Sequence, residues 1–179
     1  MVVIDAKWTS DFDGYGVVSH EPEAILYHPR VVWKVRPGQI RARDPLGRGP
    51  FARGLRYLFE QRGDPRWRPG QPGAVTVLVD ELALVAPVAH VHEGIEMLIL
   101  AGRGRGIGVW GGSQEPYKVY SAAFSQAIHI FAFHLANRMH RAKLESDLEG
   151  ESLPPLESLP PRQFFHHQQG AGWSGPWEL

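Results

Sequence analysis

The clearest features of the chain are short, unbroken apolar runs that end in polar residues. Val75–Val79 runs into Asp80–Glu81, and Ile107–Gly111 runs through Gly112 into Ser113–Gln114. Runs of this length, rich in Val and Leu and free of charge, suit strands buried on both faces of a parallel sheet. Between them, roughly His92 to Ala101, Ile95, Leu98 and Ile99 recur at helical spacing. The Gly-Arg-Gly-Arg-Gly turn over 102–106 then stops the helix. Strand, helix, strand in this order predicts a parallel crossover, with Asp80, Glu81, Ser113 and Gln114 at one sheet edge. In open α/β sheets that edge is where ligands bind.

The remaining pattern adds further elements. Val2–Asp5 and Val31–Val35 read as strands, and His129–His134 as another core strand. The interval 14–30, punctuated by Gly14, Gly16, Pro22 and Pro29, reads as irregular. Phe51, Leu55, Leu58 and Phe59 place one apolar face on a helix over Pro50–Arg62. Residues 63–73 form a Pro/Gly loop. A short helix is expected around Ala122–Gln126, and a charged one over Asn137–Leu148 with Met139, Leu144 and Leu148 facing inward. The LPPLESLPP stretch reads as a proline-rich connector. Residues 163–169 and 172–179 pair as a terminal hairpin, packed by Phe164, Phe165, Trp173 and Trp177.

The two apolar runs also carry a resemblance. VLVDEL resembles the Walker B strand of the P-loop ATPases of the HerA–FtsK group, a family of DNA translocases, conjugation pumps and viral genome-packaging motors. Ser113-Gln114-Glu115-Pro116 resembles the end of that family's sensor strand. Arg103-Gly104-Arg105-Gly106-Ile107 resembles the turn between them, and Val2-Val3-Ile4-Asp5-Ala6-Lys7 the family's second core strand. The likeness extends to about residue 148. The family's G-x-x-x-x-G-K-[ST] cradle has no counterpart, and the chain contains no Gly-Lys pair. A sequence beginning late in its parent is one explanation; a relative that has lost nucleotide binding is the other. The coding frame upstream of Met1 distinguishes them.

The resemblance implies a three-layer, RecA-like α/β fold with a mostly parallel sheet, truncated at its N-terminal edge and ending in an aromatic-rich hairpin. Residues 1–148 would form the ATPase core and 149–179 a connector and tail packed on it. With the strand that feeds the P-loop missing, a gap is expected at the sheet's centre, or a local repacking. The cofactors implied are ATP and Mg2+. Asp80 would hold the metal and Glu81 would polarise the attacking water, since phosphoryl transfer needs both. Gln114 would sense the γ-phosphate, with Asp5 and Lys7 near the phosphates. Arg103 or Arg105 would reach a neighbouring subunit's nucleotide as an arginine finger, or touch DNA phosphate. Each residue also has a plainer reading. The acid pair caps a turn, Gln114 satisfies loop backbone, the arginines favour a helix C-terminus, and Asp5 and Lys7 are a turn residue and a surface charge. A two-metal nuclease site from Asp5, Asp11, Asp13, Asp80 and Glu81 is not demanded by the spacing.

Composition narrows this only a little. With 179 residues there is room for an ordinary core. Lys+Arg and Asp+Glu are both 19, so no global field draws the chain to nucleic acid, and any such contact rests on a local patch. The absence of cysteine excludes disulfides and thiolate metal sites. No histidine pair has zinc-motif spacing. The six tryptophans are scattered and read as packing residues, not as a base-stacking platform. No run of roughly 18 apolar residues is present, so no membrane segment is expected, and a cytoplasmic location is. The expected function is a portion of an ATP-driven, double-stranded-DNA translocase or packaging motor acting as a hexamer-like homo-oligomeric ring. The alternative is a non-catalytic subunit or interaction module.

Overall fold

A computed structural model describes residues 1–41, 49–64, 66, 68 and 72–179. Five of the eleven residues of the expected loop over 63–73 lie outside the described residues. The chain divides into two compact units, Met1–Gln114 and Glu115–Leu179.

The first unit is a parallel sheet threaded by helices, the α/β architecture expected. Its strands are β1 (Val2–Asp5), β2 (Val17–Ser19), β3 (Val31–Lys34), β4 (Val75–Val79) and β5 (Ile107–Gly111). They lie in the order β2-β3-β1-β4-β5, every pairing parallel. All four residues of β1 are buried, as its central place requires. The connecting helices are α1 (Ala24–Tyr27), α2 (Pro37–Arg41), α3 (Pro50–Arg56), α4 (Leu82–Val85) and α5 (Glu93–Ala101). The helix expected to Arg62 does reach it, but Tyr57–Arg62 widens to π-helical winding, closed by Gly63 N–H donating to Leu58 C=O at 3.0 Å. Trp33 on β3 stacks on Phe51 of α3 with ring centroids 5.7 Å apart, fastening that helix to the sheet.

Two expectations are corrected here. No gap opens at the centre of this sheet: β4 pairs with β1 on one side and with β5 along its whole length on the other. Residues 14–30 are not wholly irregular, because Val17–Ser19 adds an edge strand to β3. Gly16 lies so close to Arg30 and Val31 that a Cβ would meet their backbone at 2.7 Å, which lets the short strand seat there.

The second unit holds α6 (Ala122–Ser125), β6 (His129–Ala132), α7 (Arg138–Asp147), β7 (Gln163–Gln168) and β8 (Gly172–Glu178). The terminal hairpin forms as the aromatic pattern predicts. β6, expected in the parallel sheet, instead pairs antiparallel with β7. Its alternation explains this: His129 and Phe131 are exposed while Ala132 is buried, the signature of a strand with one covered face. Ala132, Leu144, Leu148 and Leu156 form one core cluster. That cluster draws on residues before and after 148, and Leu156 brings the proline-rich stretch into it. Leu144 and Leu148 face inward as expected, but Met139, at 63% exposure, does not. It follows the N-cap Asn137, whose side chain accepts the Met139 N–H at 2.8 Å. Among the described residues no helix is long and apolar enough to cross a membrane.

Candidate functional site

Parallel pairing delivers the C-terminal ends of β1, β4 and β5 to one edge, and the polar residues that follow them meet there. The β4–β5 ladder continues past both strands. Gly112 N–H donates to Val79 C=O at 3.1 Å, and Leu82 N–H donates to Gly112 C=O at 2.8 Å. Segments 80–82 and 112–114 are thereby held side by side. The close approach depends on glycine: a Cβ on Gly111 would lie 2.4 Å from Leu82 Cδ1.

Glu81 is the centre of this arrangement and is 7% exposed. Its Oε1 accepts the Ser113 hydroxyl at 2.6 Å and the Ala83 N–H at 3.2 Å. Its Oε2 accepts the Gln114 N–H at 3.3 Å and lies 3.8 Å from Lys7 Nζ. The Ala83 bond caps α4, so Glu81 also does what the plainer reading of the acid pair assigns it. Lys7 Nζ lies 3.4 Å from Asp80 Oδ2, so one ammonium faces both acids. Asp5 turns inward. Its Oδ1 accepts the N–H groups of Lys7 at 3.1 Å and Trp8 at 2.7 Å, while Oδ2 is buried without a hydrogen-bond partner. Asp5 therefore shapes the loop that presents Lys7.

Asp80, Glu81, Lys7 and Gln114 of the expected site are thus brought together, with Asp5 supporting them. The two arginines are not. Arg103 and Arg105 precede β5, at the opposite end of the strands from Asp80. The Arg105 guanidinium donates to Phe59 C=O at 3.1 Å and lies 4.4 Å from the Phe59 ring centroid. Arg103 is exposed. Gly106, at φ 73°, ends the turn in the left-handed region that glycine tolerates. Ser113 was missed as a site residue; its place beside Gln114 at a strand end was the available signal.

Asp11 and Asp13 do not join the acids. Asp13 pairs with Lys34 at 2.8 Å. Among the described residues no group of three or more His, Cys, Asp or Glu side chains is placed to hold a metal ion. A two-metal nuclease site is accordingly not formed by them. Mg2+ does not require such a group, since it is commonly held by one or two carboxylates with waters and substrate phosphates. Asp80, partly exposed beside Glu81, fits that habit.

No protein-family model matches the sequence, and neither does any curated protein. Solved structures do. The chain shares the fold of the genome packaging NTPase B204 from Sulfolobus turreted icosahedral virus 2. Against that protein in complex with sulfate the TM-score is 0.74, with 14% identity over 99% of this chain and 81% of the other. Against its complex with ATP-gammaS the TM-score is 0.74, with 15% identity over 99% and 82%. The DNA-packaging ATPase B204 from Sulfolobus turreted icosahedral virus gives 0.70 and 15% over the same shares. The fold expected from the two apolar runs is therefore the fold adopted.

Proposed function

We propose that this chain supplies the Walker B and sensor elements of an ATP-driven DNA-packaging or translocation motor of the HerA–FtsK kind. The observation that carries the reading is the direct hydrogen bonding of Glu81 to Ser113 and Gln114. It joins the ends of two adjacent parallel strands, in the fold of an NTPase whose structures hold nucleotide analogues. ATP would bring the phosphoryl group, and Mg2+ would neutralise its charge. Asp80 would hold the metal. Glu81, gripped by Ser113 and the Gln114 N–H, is oriented to align a water and accept its proton. The exposed Gln114 amide would sense the γ-phosphate. Lys7 neutralises the acid pair and would exchange its contacts when nucleotide and metal arrive.

Of the two arginines, Arg105 is committed to Phe59, so the trans-acting finger or a DNA phosphate contact falls to the exposed Arg103. Both roles place the chain in a homo-oligomeric ring around double-stranded DNA. The non-catalytic module remains the second reading. It is favoured by the lack of G-x-x-x-x-G-K-[ST] in these 179 residues.

Hydrolysis by the full-length protein separates the two readings. Turnover requiring Mg2+, stimulated by double-stranded DNA and lowered about 10²- to 10⁴-fold by Glu81→Gln, is the expected result. Glutamine keeps a carbonyl oxygen for Ser113 and Ala83, but its amide NH2 meets the Gln114 N–H and Lys7, so turnover is read per folded molecule. A protein that binds no nucleotide at millimolar ATP is the non-catalytic module instead.

A further inference from the structure

The loop leaving β1 carries a second cluster that uses neither Asp80 nor Glu81. Trp8 has φ 61°, in the left-handed region where a bulky side chain is strained. The buried Asp5 carboxylate imposes this by accepting the N–H groups of both Lys7 and Trp8. Strain of this kind persists where surrounding structure over-determines it, and it gathers at ligand sites. Here it does not serve the core: the indole is 40% exposed. It stacks on His20, with centroids 4.7 Å apart and planes 27° apart. The Arg36 guanidinium lies 5.4 Å from its ring centroid.

The three residues follow the C-terminal ends of β1, β2 and β3, so parallel topology collects them at the sheet's carboxyl edge. Lys34 fastens the loop from β3, donating to Thr9 C=O at 2.9 Å and pairing with Asp13. An exposed indole held open beside an imidazole and a guanidinium suits one kind of ligand: a flat π system joined to an anion.

We propose that Trp8, His20 and Arg36 form a stacking platform for a nucleobase carrying a phosphate, the base continuing the Trp8–His20 stack and the phosphate meeting Arg36. A free nucleotide and an unpaired stretch of nucleic acid both offer this chemistry. The platform stands apart from the ATPase reading and is tested apart from it.

The experiment is fluorescence anisotropy of labelled oligothymidine, with melting temperature measured for every variant. Trp8→Gly removes the ring and relieves the left-handed strain, so the variant folds. It should bind roughly tenfold more weakly. Trp8→Phe should recover most of the affinity, and Arg36→Ala should reduce the salt slope by about one. Competition by AMP, matched per nucleotide, identifies a free nucleotide as the ligand; failure of AMP to compete identifies the strand. Binding unchanged by Trp8→Gly, equal binding of an abasic oligonucleotide, or no binding by the wild-type chain overturns the proposal.

Discussion

The two ends of the five-stranded sheet use similar residues for opposite purposes. At the carboxyl end, Lys7, the Asp80–Glu81 pair and Ser113 leave three different strands and turn toward one another. At the amino end, Arg105 follows a glycine in the same way, yet it packs down on Phe59 and its carbonyl accepts the Asp64 N–H at 3.0 Å. Charge and flanking glycine do not separate the two cases; strand direction does. Parallel strands send all their outgoing loops to one edge, where polar groups from distant sequence positions converge. The incoming turn at the other edge sets Arg105 on the helical segment Tyr57–Arg62 instead.

If this contrast is right, disturbing the carboxyl end should cost most where backbones approach closely. Gly111→Ala forces a Cβ against Leu82 and should lower stability by about 1–3 kcal/mol. Thermal melting measures it, and an unchanged midpoint means the 80–82 and 112–114 segments are not locked as described. Asp5→Ala removes the acceptor for two N–H groups and should cost about 1–3 kcal/mol. Asp5→Asn keeps that acceptor and should retain most of the stability, which chemical denaturation of the pair would show. At the amino end, Arg105→Ala loses one hydrogen bond and one cation–π contact, about 1–2 kcal/mol together. Arg103→Ala, at an exposed position, should change stability by less than about 0.5 kcal/mol. A larger loss would place Arg103 in the fold and remove it as a candidate for acting on a neighbour.

Much of the carboxyl end was legible in the sequence because its strands are unbroken apolar runs. Val2–Asp5, Val75–Val79 and Ile107–Gly111 have no competing pattern, and acids directly after a buried strand have one place to go. The terminal hairpin was equally plain, since aromatic residues flank the Gly-containing turn at Gln169–Gly172. Pairing between distant segments was not legible. His129–Ala132 is apolar enough to resemble a parallel core strand, and its one-sided burial and its pairing with β7 show otherwise. Val17–Ser19 is too short to stand out between glycines and relies on β3 for its register. The grip of Ser113 on Glu81 spans 32 positions and depends on strand order, which no local spacing encodes. Trp8 reads as a packing residue by type; its left-handed backbone is imposed by a side chain three residues earlier.

The most direct test measures turnover and melting side by side for Glu81→Gln and Arg105→Ala in the full-length protein. The account predicts that Glu81→Gln lowers Mg2+-dependent ATP turnover per folded molecule about 10²- to 10⁴-fold. It predicts that Arg105→Ala lowers the melting temperature and leaves turnover per folded molecule unchanged. The reverse pattern, with turnover sensitive to Arg105 and indifferent to Glu81, would contradict the assignment of chemistry to the carboxyl edge.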